Sequence, residues 1–149
     1  MPRRVRMQMS KATILIVEDD GILAHLLQSI LRRQGYAVAG PLAAGEEAIA
    51  FVASRQVDLI LMDVELAGDV NGINAAAIIH ETMDVPIIFL TGFSREQLQK
   101  EVKDAKPYGY LGKPIIEQQL FATVEMALKM VAVRPAGEMA RLESSSRSR

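Results

Sequence analysis

Apolar and polar positions along the chain switch repeatedly between two periods. Ala12 to Val17 (ATILIV) is a short, continuous apolar run, as in a strand buried on both faces. From Gly21 the spacing becomes helical: Ile22, Leu23, Leu26, Leu27, Ile30 and Leu31 fall on one expected face, and Gly35 is the stop. Tyr36 to Ala39 predicts a second strand, ended by Gly40-Pro41, and Glu46 to Ser54 predicts a helix. Asp58 to Asp63 (DLILMD) reads as a third strand, Gly68 to Asn71 as loop and Ile73 to Thr82 as helix. Val85 to Leu90 (VPIIFL) is the expected fourth strand. Ser94-Arg95-Glu96-Gln97 has the form of a capping box that would open a fourth helix. Tyr108 to Leu111 predicts a fifth strand, and Ile115 to Val131 a long final helix.

Five strands and five helices in strict alternation require crossover connections. The expected fold class is therefore α/β, a doubly wound parallel sheet with helices on both faces. Ligand sites in such folds lie off the carboxyl ends of the strands. Glu18, Asp19 and Asp20 follow the first strand, and Asp63, Val64 and Glu65 end or follow the third. Thr91 follows the fourth, and Lys113-Pro114 follows the fifth. Asp20, just before a helix, reads as its N-cap.

Composition narrows the chemistry. The chain has 149 residues and no cysteine, which suits one domain without disulfides or thiolate metal sites. No apolar run approaches the roughly 20 residues of a membrane span, and no apolar segment follows Arg3, Arg4 and Arg6 to make a signal peptide. A cytoplasmic location without membrane contact is the expectation. The net charge of −1 hides an asymmetry: residues 1–11 carry +4, residues 134–149 carry +2, and the middle carries −7. An acidic middle argues against direct DNA binding by the fold. Residues 1–11 and 132–149 read as disordered tails. His25 and His80 lack ligand spacing and read as surface or partly packed residues, and Asp69 reads as solvated.

Three carboxylates brought together repel unless a cation intervenes, and Mg²⁺ is the usual ion where carboxylates meet phosphate. A carboxylate beside such an ion can act as a nucleophile on a phosphoryl group. Lys113 would supply a point charge and Thr91 a hydroxyl to the transferred oxygens.

VEDD at the first strand end, LILMD at the third, FLTG at the fourth and YGYLGKP at the fifth together resemble the receiver domain of two-component response regulators. The order and the intervals, 44 residues from Asp19 to Asp63 and 22 from Thr91 to Lys113, carry the resemblance. It covers residues 12–131 and implies a flavodoxin- or CheY-like three-layer sandwich of strand order 2-1-3-4-5. It also implies that Asp63 is phosphorylated by a sensor histidine kinase or phosphotransfer protein, and that the domain later loses the group to water. Glu18, Asp19, Asp63 and the backbone carbonyl of Glu65 would hold Mg²⁺, with Mn²⁺ as a substitute. Thr91 and Tyr110 would form the switch, Lys113 would contact the phosphoryl group, and the Lys113-Pro114 peptide would be cis. Three places differ from the family's usual pattern: Ala67 where proline is usual, Asn71-Gly72 where Asp-Gly is common, and Gly92 where alanine often follows the threonine.

Eighteen residues remain after Val131, too few for a helix-turn-helix. The expectation is a single-domain receiver, monomeric or dimerising on phosphorylation, whose output runs through protein contacts over residues 94–131. Two alternatives are weaker. A phosphohydrolase of the haloacid dehalogenase kind would carry its nucleophile after the first strand in a D-x-D pattern. A docking module indifferent to phosphate would not need the reacting residues, and all are present.

Overall fold

The structure, a computed structural model, describes residues 12–92, 96–97 and 107–132. Its elements are β1 (Thr13–Val17), α1 (Gly21–Arg33), β2 (Ala37–Leu42), α2 (Gly45–Ser54), β3 (Leu59–Asp63), α3 (Gly72–His80), β4 (Ile87–Thr91), β5 (Gly109–Gly112) and α4 (Glu117–Ala132). The strands form one parallel sheet of order β2-β1-β3-β4-β5. Of the expected fourth helix, Glu96 and Gln97 are described and are helical. Its other residues, with Ser94, lie outside the described residues, as do residues 1–11 and 133–149. No helix among the described residues is long and apolar enough to cross a membrane.

Strand alternation divides the core into two. Leu15, Val17, Ile60, Met62, Ile87 and Phe89 meet Ala48 and Val52 of α2 and Ile73, Ala76 and Ile79 of α3. Ile14, Ile16, Leu59, Leu61, Ile88 and Leu90 meet Leu27, Ile30 and Leu31 of α1 and Leu120, Val124 and Ala127 of α4. Each fully buried aliphatic side chain contributes roughly 1.5–3 kcal/mol of transfer free energy, so these strands anchor the fold. The expected apolar face of α1 is narrower than the sequence suggests. Ala24, Leu27, Ile30 and Leu31 are buried, whereas Ile22 is 84% exposed and Leu26 48%. At 100° per residue, Leu26 lies outside the buried stripe and Ile22 nearly opposite it, so neither reaches the sheet.

Local chemistry fixes the helix starts. The Asp20 carboxylate accepts from the N–H groups of Ile22 at 3.0 Å and Leu23 at 3.3 Å, so it is the N-cap of α1. Asn71 caps α3 by accepting from Asn74 N–H at 2.8 Å. At α2 the cap position is Ala44, which has no side-chain acceptor. Glu47 reaches back instead and accepts from both Ala43 and Ala44 N–H at 3.1 Å.

Gly40-Pro41 does not end the second strand. β2 runs on to Leu42, and its pairing with β1 shifts between Leu15 and Val17, so one extra residue of β2 is accommodated. β2 is an edge strand, where proline's missing N–H is tolerated. Gly40 has φ +85°, and a Cβ there would lie 2.8 Å from the Ile16 carbonyl oxygen. The bulge brings the Leu42 carbonyl onto the Glu18 N–H at 2.8 Å.

Gly72 marks the tightest approach. A Cβ there would land on the Asp63 carbonyl, whereas one on Gly21 would meet nothing within 4 Å. Gly72→Ala should therefore destabilise the fold by about 2–3 kcal/mol in urea unfolding, while Gly21→Ala should be neutral or stabilising by up to about 1 kcal/mol. Equal effects of the two substitutions would contradict this packing.

Candidate phosphoacceptor site

Sheet register brings four strand ends together. Val17 pairs with Met62, which puts Glu18 level with Asp63. Asp63 pairs with Leu90, and Thr91 with Gly112, so Lys113 is next in line. Backbone bonds from neighbouring strands hold these positions. Val64 N–H donates to Leu90 C=O at 3.0 Å, and Lys113 N–H donates to Thr91 C=O at 2.8 Å.

One oxygen each from Glu18, Asp19 and Asp63 lies within 4.8 Å of the others. Glu18 and Asp63 are buried and Asp19 is exposed. The Lys113 Nζ sits 3.1 Å from Glu18 Oε1 and 3.2 Å from Asp63 Oδ2, forming two ion pairs from one ammonium. Each carboxylate also accepts one backbone N–H at 3.1 Å. Glu18 Oε2 takes that of Asp20, Asp63 Oδ1 that of Glu65, and Asp19 Oδ2 that of Ala67.

Two buried anions share one cation, and a third anion stands at the rim. Burial raises the Glu18 pKa from 4.5 to about 7, helped by a hydrogen bond with Asp63 and by that carboxylate's charge. The Asp20 N–H and Lys113 act in the opposite direction but do not prevail. Burial works against the Lys113 charge, yet its hydrogen bonds and attraction to Glu18 and Asp63 raise its pKa. Such mutually perturbed groups at a sheet edge mark functional sites.

The donor set fits a hard divalent cation. Three carboxylates face a single ammonium, leaving an uncompensated charge. Glu18 Oε1 is buried, and the Lys113 ammonium 3.1 Å away, itself shared with Asp63, leaves it under-compensated. An oxygen-liganded ion would satisfy both conditions.

Thr91 is buried beside the cluster. Tyr110 is half-buried on β5, opposite Phe89, with ring centroids 6.3 Å apart and planes at 24°. The Lys113-Pro114 peptide is cis, as expected, and so is Gly40-Pro41. Glu65 is exposed and contributes its N–H to Asp63. His25 is exposed, and His80 Nε2 lies 2.8 Å from the Val85 carbonyl; neither joins the site. Asp69 is exposed.

The sequence reading missed two backbone contacts at the acids: the Leu42 carbonyl, which accepts from the Glu18 main-chain N–H, and the Ala67 N–H, which donates to the Asp19 carboxylate. The signals available were Gly40-Pro41, which makes the bulge, and Ala67 in the place of a proline. An open groove of about 510 Å³ lies at the other end of the sheet, between Ala12, Tyr36, Asp58, Glu125 and Leu128. It holds no cluster of this kind.

The family model of the response regulator receiver domain matches residues 14–125. Transcriptional regulatory protein PdtaR of Mycobacterium tuberculosis is 34% identical over 115 residues, which cover 77% of this chain and 56% of PdtaR. The chain spans about half the length of PdtaR and about a quarter of that of the transcriptional regulatory protein ZraR of Salmonella typhimurium, to which it is also similar. Among solved structures, the signal receiver domain of a modulated diguanylate cyclase from Desulfovibrio desulfuricans has a TM-score of 0.74 and 34% identity, covering 80% of this chain and 94% of that one. The receiver domain of the sensor histidine kinase PA1611 of Pseudomonas aeruginosa, solved with a magnesium ion in its active site cleft, has a TM-score of 0.72 and 28% identity over 79% of this chain and 98% of that one. Sequence and fold agree with the arrangement of the strand ends, and the chain belongs to the response regulator receiver domain family of two-component signal transduction.

Proposed function

We propose that Asp63 accepts a phosphoryl group from a phosphohistidine on a sensor histidine kinase or phosphotransfer protein. The observation that carries this reading is the placement of Asp63: buried, at a strand end, 3.2 Å from Lys113 and within a carboxylate cluster suited to a cation. A carboxylate oxygen of Asp63 bonds to phosphorus as the donor's P–N bond breaks, and the imidazole leaves with a proton. Glu18, Asp19, Asp63 and the Glu65 carbonyl would hold Mg²⁺, which would supply positive charge to the transferred group. Lys113 supplies a second positive centre, and Thr91 a hydroxyl for another oxygen. The family's members are phosphoacceptor signalling modules, and this chain is read as one rather than as an enzyme acting on small molecules. Residues 12–131 are read as the receiver domain and the flanking residues as tails.

Output is read as a shift of a two-state equilibrium on the β4–β5 side. Support comes from the Thr91 carbonyl holding the Lys113 N–H and from the contact between Phe89 and Tyr110. The downstream partner is read as a protein.

Acetyl phosphate with Mg²⁺ should add the mass of one phosphoryl group, and Asp63→Asn should abolish the addition; an unchanged mass in the native chain would sink the reading. Phosphorylation should shift the Tyr110 ring resonances in NMR spectra, and Thr91→Ala should remove most of that shift while leaving Asp63 reactive. A full shift in the variant would disprove the coupling.

The Glu18 carboxyl gives a pH signature in metal-free protein. Its folded pKa of about 7 lies above the unfolded 4.5, so the folded state retains a proton between these values. Its contribution to stability is greatest below 4.5 and is lost as pH rises through about 7. With EDTA present, raising pH from about 5 to about 8 should lower the stability of the native chain relative to Glu18→Gln by roughly 1–3 kcal/mol. A pH-independent difference would show that Glu18 is ionised throughout.

A further inference from the structure

Asp19 differs from the other two acids in what balances it. Glu18 and Asp63 share the Lys113 ammonium, whereas the hydrogen bond found on Asp19 comes from the backbone of Ala67, 48 residues away. That bond crosses from the end of β1 to the loop between β3 and α3. The same loop carries Glu65, whose N–H is bonded to Asp63 Oδ1. Gly68, with φ +99°, turns the chain immediately after Ala67. The loop is therefore pinned to two of the acids by two amides, at Glu65 and Ala67, before any cation enters.

We propose that the Ala67 N–H is a positioning group for the cation site, fixing Asp19 and tying the loop that bears the Glu65 carbonyl to the end of β1. The inference rests on the reading of Asp19 and the Glu65 carbonyl as cation ligands. Bonding at Oδ2 leaves Asp19 Oδ1 to face a cation, and it holds the carboxylate plane against repulsion from Glu18 and Asp63. A hydrogen-bonded carboxylate of this kind gains metal affinity because less ordering remains to be done on binding. Proline at position 67 cannot make the bond, since it has no N–H. Every other residue type can, so the backbone of this position, and not its methyl group, carries the effect.

Mg²⁺ titration by calorimetry on the full chain tests this with Ala67→Pro and Ala67→Gly. Ala67→Pro should weaken Mg²⁺ binding about tenfold, the low end of the range for loss of such supporting bonds, because Asp19 is exposed. Ala67→Gly keeps the donor and should stay within about threefold of the native chain, allowing for added loop freedom. A native chain that binds no Mg²⁺ would overturn the cation reading itself. Native binding matched by an equally tight Ala67→Pro would overturn only the positioning role.

Hydrogen exchange at the Ala67 amide gives a second, metal-free readout that a general loss of stability would not mimic. Asp19→Asn should speed exchange at Ala67 several-fold while leaving the Ile60 and Leu61 amides of β3 unchanged. Equal exchange at Ala67 in both proteins would overturn the proposal even if the proline variant failed to fold.

Discussion

Like charges at the end of a parallel sheet set the terms for everything around them. Glu18 and Asp63 sit where solvent cannot screen them, and Lys113 divides one positive charge between the two. That arrangement works only if three separate strands end at the same height. The backbone bonds from Glu18 to Leu42, Val64 to Leu90 and Lys113 to Thr91 keep them there. The two apolar cores resist any slip between strands, because a one-residue shift would turn every buried side chain of a strand to the opposite face.

Much of this was legible in the sequence. Period changes located the five strands, and strict alternation with helices implied the parallel sheet. The acids, the threonine and the lysine could be read as neighbours because each follows an apolar run. The second strand was read too short, since Gly40-Pro41 is a turn signal in most settings and here forms a bulge on an edge strand. The apolar face of α1 was read too wide, since Ile22 and Leu26 have the residue type of a core without its position. Propensity and periodicity are local, and both errors were decided by what lies across the sheet.

The backbone partners of the carboxylates were beyond the reach of pattern reading for a different reason. An N–H or C=O is present at almost every residue, so its use as a partner leaves little trace in residue type. Ala67 shows a trace only by contrast, since one residue type among twenty would remove the donor. Gly72 shows another, because the absence of a side chain there is what lets the chain pass the Asp63 carbonyl.

The close contact of Gly72 with Asp63 also bears on how such a chain can tolerate changes in length. The segment from Asp63 to Gly72 is fastened at both ends: Glu65 and Ala67 are bonded to acids, and Gly72 N–H donates to the Val64 carbonyl at 3.0 Å. Val70 is held as well, with its carbonyl oxygen 2.8 Å from where a Cβ on Gly45 would stand. Between Ala67 and Val70 stand Gly68 and Asp69, both exposed. An added residue is best accommodated there, at exposed positions, because elsewhere in the segment it would disturb the bonds to Asp63 and Asp19.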